Sequence, residues 1–114
     1  MPSKLSISKR KEGDITIISP QGSIDTHTAP EFEKVLKELL DSGQVKVVVD
    51  MSGVGYISSA GIGVFMSLIG DFRERGGDIK AAAMSEKVYK VFETVGFTSI
   101  LDIKNTVEEA VKSF

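Results

Sequence analysis

The stretch that decides the fold is VKVVVDMSGVGYISSAGIGVFM, which runs from Val45 to Met66. It begins with a nearly continuous β-branched run that ends at Asp50, a pattern typical of a central parallel strand buried on both faces. A glycine-rich turn follows. Ser58 and Ser59 then precede an apolar run that predicts a deeply packed helix. The stretch therefore predicts a hydroxyl group at the point where a strand leads into the N-terminus of a helix.

The segments on either side predict a short alternation of strands and helices. Upstream, two strands joined by a turn near Gly13 form a hairpin, and Thr28 to Glu31 has the pattern of a capping box at a helix start. Downstream, an alanine-rich strand precedes a helix capped by Ser85, a short strand lies near Ile100, and Thr106 begins a final helix.

This order predicts an α/β fold with a small mixed sheet of four to five strands flanked by about four helices. An N-terminal β-hairpin comes first, and alternating β-α units follow with right-handed crossovers. Ligands of such sheets bind at the carboxyl ends of the parallel strands. The loop at Asp25 and the pair Ser58-Ser59 each follow a strand, so neighbouring strands would place both on one rim.

Composition excludes several functional classes. The 114 residues suit one domain, residues 1–114, and the net charge of −2 comes without a basic block that would neutralise a nucleic-acid backbone. The chain has no cysteine and one histidine, which excludes disulfides, thiol catalysis and multi-histidine metal centres. Neither a signal peptide nor an apolar membrane span is evident. We expect a soluble, cytoplasmic protein without a cofactor or metal and without nucleic-acid or membrane partners. At this size and charge, a monomer is the simplest expectation.

The serine pair allows two interpretations. Ser59 is either a simple helix cap or a phosphate acceptor, since the exposed N–H groups of a helix N-terminus favour an anion. Ser58 is a turn residue, an alternative cap or a second target. Asp25 fits an Asx turn as well as a partner contact, and His27 is best interpreted as an exposed loop residue that contacts a partner.

Four motifs together resemble the STAS domain of bacterial anti-sigma factor antagonists. The segment from Gly22 to Asp25 is similar to the family's Gly-x-Leu/Ile-Asp, and Thr28 to Phe32 resembles its first helix start. The segment from Asp50 to Val54 resembles Asp-Leu-Ser-x-Val, and Tyr56 to Val64 resembles the aromatic-x-Asp-Ser-Ser/Thr-Gly-Leu-Gly signature. The resemblance covers nearly the whole chain.

This resemblance implies a non-catalytic binding switch. In the family, the unphosphorylated antagonist binds an anti-sigma factor that is also a serine kinase, and this binding frees the sigma factor. The kinase phosphorylates the serine that corresponds to Ser59, which blocks binding, and a phosphoserine phosphatase reverses the modification. Ser58 stands where the family has aspartate, and Ala60 stands where it has a second Ser or Thr. The partner-contact residues implied are Asp25, Thr26, His27, Ser58, Ala60, Gly61 and Ile62.

Two other functional classes stay open at this point. A STAS subunit could bind a small ligand or lipid, or act as an interaction module of a transporter or other signalling complex. An autonomous hydrolase is disfavoured, because His27 is the single histidine and lies in a different loop from Ser59. The glycines around Ser58 do not have the spacing of a nucleotide-binding loop.

Overall fold

Strand β2 (Ile15–Ile24) organises a six-stranded mixed sheet in the computed structural model, which describes residues 5–114. Strand β1 (Ser6–Glu12) pairs antiparallel with it to form the hairpin. On its other side the parallel strands β3 (Lys46–Asp50), β5 (Asp78–Ala82) and β6 (Asp102–Lys104) follow in that order, while β4 (Val54–Ile57) pairs parallel with the last residues of β2. Within the same part of the chain lie four helices: α1 (Ala29–Asp41), α2 (Ser59–Glu74), α3 (Glu86–Thr94) and α4 (Val107–Lys112).

The predicted fold class is confirmed, with more strands than the sequence pattern indicated. The hairpin and the alternating units are present. The additional strand is β4, whose segment has the glycine-rich composition that predicts a turn. The last strand, β6, begins two residues after Ile100, which is itself 47% exposed.

The two faces of the sheet are covered unequally. Val47 and Val49 of β3 point into the main core, where α1, α2 and α3 pack against the sheet. Val48, between them, points to the opposite face and packs with Ala110 of α4 in a smaller core. Both faces of β3 are thus buried, as its β-branched run predicted.

Two glycines of α2 lie in open space. A Cβ atom at Gly63 or at Gly70 would meet nothing within 4 Å, so neither glycine is needed for a close approach of α2 to the sheet. The methionines differ in burial. Met51 is fully buried and Met84 is half-buried, whereas Met66 on α2 is 52% exposed.

A buried lysine anchors the C-terminal segment to the smaller core. Lys80 of β5 is 7% exposed, and its Nζ donates to Asp102 Oδ2 at 2.8 Å and to the carbonyl of Ser113 at 3.1 Å. The same ammonium lies 4.7 Å from the ring centroid of Phe114, within the range of a cation–π contact. The hydrogen bond from Lys80 is the main cause that holds the pKa of Asp102 below its usual value of 3.8.

Asp102→Asn is expected to lower the free energy of unfolding by roughly 1–3 kcal/mol at pH 7, because a buried ammonium loses its carboxylate partner. Since folding lowers the pKa of Asp102, its stabilisation is complete above 3.8 and is lost as the pH falls through the folded value. Urea titrations of the two proteins should therefore converge below that pH. A constant difference down to acid pH would contradict this account of the pair.

No helix within residues 5–114 combines the length and the apolar character needed to cross a lipid bilayer.

Candidate functional site

The candidate site lies where β4 leads into α2, and the structure resolves which serine caps the helix. Ser58 is the N-cap residue, with extended backbone, and its Oγ accepts a hydrogen bond from the backbone N–H of Gly61 at 3.3 Å. Ser59 is the first residue of the helix and is exposed. The helix cap is therefore Ser58, and the hydroxyl of Ser59 takes no part in the capping hydrogen bond.

Parallel pairing of β2 with β4 brings the two predicted loops together. Ile24 is in register with Ile57, so both strands end at the same rim of the sheet. The backbone N–H of Ser58 donates to the carbonyl of Ile24 at 2.9 Å, which fixes the start of α2 beside the Asp25 loop. The expected juxtaposition of Asp25 and the serine pair on one rim is thus confirmed.

Gly61 allows this close junction. A Cβ atom at Gly61 would lie 2.7 Å from side-chain carbons of Ile24 and Ile57 and 2.9 Å from the carbonyl oxygen of Ile24. Real Cβ atoms essentially never approach that closely. The first turn of α2 can therefore rest on the strand ends only because this position has no side chain.

The Asp25 loop is held by its own hydrogen bonds. Asp25 Oδ1 accepts from the backbone N–H groups of His27 at 2.9 Å and Thr28 at 3.1 Å, the geometry of an Asx turn. Partial desolvation raises the pKa of Asp25, but these hydrogen bonds outweigh it and the pKa lies below its usual value. Asp25 therefore contributes a fixed negative charge to the rim at neutral pH.

The capping box expected at Thr28 does not form. Thr28 precedes α1 but makes no side-chain capping bond. Its Oγ1 instead donates to the carbonyl of Ser23 at 2.7 Å and accepts from the backbone N–H of Asp25 at 2.9 Å. The hydroxyl thus ties the loop to the end of β2, which keeps the Asp25 loop in one conformation.

A groove opens beside Ser59 between α1 and α2. It has a volume of about 290 Å³. We refer to it as the α1–α2 groove, and its lining residues are Thr26, Ala29, Pro30, Glu33, Ala60, Gly63, Val64 and Ser67. Thr26 and Ala60 were predicted partner contacts, but the groove itself was not predicted, because its walls come from two separate helices.

The other predicted contact residues divide by burial. Thr26, His27 and Ala60 are exposed, and Asp25 and Ser58 are half-buried, so these side chains reach the surface of the rim. Gly61 is buried, and Ile62 is 1% exposed. These two residues therefore lie inside the junction and do not line the surface.

The family comparison covers almost the entire chain. The model of the STAS domain matches residues 6–110. An anti-sigma-B factor antagonist of Listeria monocytogenes is 32% identical over 101 residues, which span 89% of this chain and 89% of that protein. Anti-sigma factor antagonists are regulators and not enzymes.

Solved structures share the architecture. A crystallised candidate anti-sigma factor antagonist of Thermotoga maritima has a TM-score of 0.87 at 26% identity, covering 94% of this chain and 92% of that one. The anti-sigma factor antagonist SpoIIAA in its unphosphorylated form has a TM-score of 0.80 at 17% identity, with 95% of each chain covered. SpoIIAA, a Bacillus cell fate determinant, also has a solved phosphorylated form, with a TM-score of 0.72 at 16% identity.

From the family match and the identity to the Listeria protein it follows that this chain belongs to the STAS domain family and is related to anti-sigma factor antagonists.

Proposed function

We propose that this protein is a partner-switching anti-sigma factor antagonist with Ser59 as its phosphorylation site. The unphosphorylated form binds an anti-sigma factor that is a serine kinase, and so releases the sigma factor. Phosphorylation of Ser59 ends that binding, and a phosphoserine phosphatase restores it. The observation that carries the proposal is the division of roles at the start of α2: Ser58 caps the helix, which leaves the exposed Ser59 hydroxyl available for transfer.

The local electrostatics favour a phosphate at this position. The first turn of α2 contains no acidic residue, so the partial positive charge of the helix N-terminus is not compensated there. A phosphoserine adds a charge of about −1.5 to −2 and three acceptor oxygens at neutral pH. Because Ser59 is exposed, the phosphate stays in water and the fold is expected to survive the modification.

Phosphorylation is then expected to act on the complex with the kinase and not on the fold. A kinase must place the γ-phosphate of its nucleotide against the Ser59 hydroxyl, so the unmodified site fits an anionic nucleotide. After transfer, the phosphoserine faces the remaining nucleotide phosphates, and like charges in a desolvated interface repel. SpoIIAA has been solved in both phosphorylation states, which supports the idea that the fold accommodates both.

The proposed contact surface is the rim around Ser59, formed by Asp25, Thr26, His27, Ser58 and Ala60. These residues come from the Asp25 loop and from the start of α2, which the pairing of β2 with β4 brings together. We further propose that residues 1–114 form a single STAS domain, that the protein acts as a cytoplasmic monomer, and that the kinase partner supplies ATP and Mg²⁺, so no cofactor of its own is needed.

Phosphate mapping tests this proposal. The chain is incubated with ATP, Mg²⁺ and each anti-sigma factor kinase encoded in its source genome, beside Ser59→Ala and Ser58→Ala. We expect one phosphate on Ser59, none on Ser59→Ala, and full modification of Ser58→Ala despite a loss of about 1 kcal/mol from its missing cap. Mass spectrometry of the digested proteins reads the site.

A phosphate that is present on Ser59→Ala and absent from Ser58→Ala would identify Ser58 as the target. No phosphate from any of these kinases, under conditions where each modifies another antagonist, would overturn the proposed switch and favour a ligand-binding or transporter-associated STAS subunit.

A further inference from the structure

We infer that the α1–α2 groove receives one basic side chain of the anti-sigma factor, and that this contact anchors the partner beside Ser59. The inference rests on the proposed function, since the partner is the protein whose kinase site reaches the Ser59 hydroxyl. It goes further in extending the contact region from the rim, at Thr26 and Ala60, into the space between α1 and α2, and in stating the chemistry of the residue that occupies that space.

The position of Ser59 requires recognition of a folded surface. Ser59 is the first residue of a 16-residue helix whose start is bonded to the end of β2 through Ser58 and Ile24. An enzyme could bind this site as an extended peptide only by unwinding α2. The kinase therefore has to bind the surface near Ser59 as it stands, and the groove begins at the next residue, Ala60.

The shape of the groove suits one long side chain. Its volume is about 290 Å³, and apolar groups of Ala29, Pro30 and Val64 form part of its lining. Gly63 lies one helical turn after Ser59, and its missing side chain keeps the groove open, because a Cβ atom there would meet nothing within 4 Å. The groove thus offers apolar contacts beside the phosphorylation site, together with polar groups of Thr26, Glu33 and Ser67.

The charge of the groove selects a basic occupant. Glu33 is the single charged residue among those that line it, and its side chain is 38% exposed. Its 3.7 Å ion pair with Lys37, one turn further along α1, is a solvent-exposed pair of the kind that contributes little. An arginine or lysine has an aliphatic stem for the apolar walls and a charged end for the Glu33 carboxylate.

Four variants test whether the partner contacts this groove or another part of the surface. Gly63→Met fills the groove, whereas Gly70→Met adds the same side chain to α2 outside it; neither added Cβ atom meets the fold. Glu33→Gln removes the groove charge, and Glu38→Gln removes an exposed charge of α1 that does not line the groove. Both methionine variants should keep or raise the melting temperature, since glycine is a poor helix former.

Binding is measured by calorimetry against the kinase that modifies the wild-type chain, at about 50 and 300 mM salt. We expect Gly63→Met to weaken binding at least about tenfold and Glu33→Gln about three- to tenfold, with a smaller salt dependence for Glu33→Gln. Gly70→Met and Glu38→Gln should stay within about twofold of wild type.

The outcomes distinguish this inference from the proposed function. Wild-type affinity for Gly63→Met would overturn the groove contact while leaving the switch at Ser59 intact. Weak binding by Gly63→Met with unchanged binding by Glu33→Gln would overturn the basic occupant in favour of an apolar one. Failure of the wild-type chain to bind any of the kinases would overturn the proposed function, and this inference with it.

Discussion

Gly77→Ala is expected to destabilise the protein by about 3 kcal/mol or more. A Cβ atom at Gly77 would overlap the carbonyl oxygen of Val45 and lie 2.8 Å from its Cβ atom. That carbonyl accepts the backbone N–H of Asp78 at 2.9 Å, so it cannot move without breaking the entry into β5. The measurement is the free energy of unfolding from urea titration, followed by circular dichroism.

The reason for this sensitivity is the way α2 ends. Gly76 has a positive φ of 84°, and the N–H groups of Gly76 and Gly77 donate to the carbonyls of Arg73 and Phe72, which is a Schellman motif. The motif turns the chain directly onto Val45. Gly70→Ala, in the open middle of the same helix, is the matched control and should gain about 1 kcal/mol. Equal stabilities for the two alanine variants would contradict this reading of the junction.

Phe65→Ala is expected to remove about 3–5 kcal/mol of stability, a large part of the total for a domain of this size. Phe65 is fully buried at the centre of the aromatic core. Its ring centroid lies 5.3 Å from that of Phe32 on α1 and 5.5 Å from that of Phe92 on α3. Truncation would leave a cavity where three helices meet.

The control for this variant is Met66→Ala, one residue along the same helix. Met66 is 52% exposed, so its truncation should change the free energy of unfolding by less than about 0.5 kcal/mol. Guanidinium titration of both proteins measures the difference. A loss at Met66 comparable to that at Phe65 would show that the buried face of α2 is assigned incorrectly.

Local patterns in the sequence predicted the parts of the fold that depend on residues close together along the chain. The β-branched run of β3 and the cap at Ser85, whose Oγ accepts from the N–H of Val88 at 3.2 Å, were both predicted correctly. Strand β4 was missed because Gly53 and Gly55 give its segment the composition of a turn. Its strand character comes from pairing with β2, some 30 residues earlier in the chain.

For the same reason, only part of the site was predicted. The serine pair and the Asp25 loop were found from local motifs, but which serine caps α2 depends on geometry that two adjacent serines cannot reveal. The role of Lys80 was also missed. The alternation of Ile79, Lys80 and Ala81 places the lysine on the face opposite the main core, and only the tertiary fold shows that Asp102 meets it there.

The most direct test of the central claim compares the affinity of the two forms of the protein for the same anti-sigma factor. The chain is purified unphosphorylated and with one phosphate on Ser59, and each form is titrated calorimetrically, with its melting temperature recorded. We predict that phosphorylation weakens binding at least about 100-fold while the melting temperature does not fall. Equal affinity of the two forms, or weaker binding accompanied by loss of the folded state, would contradict a switch that acts on the interface.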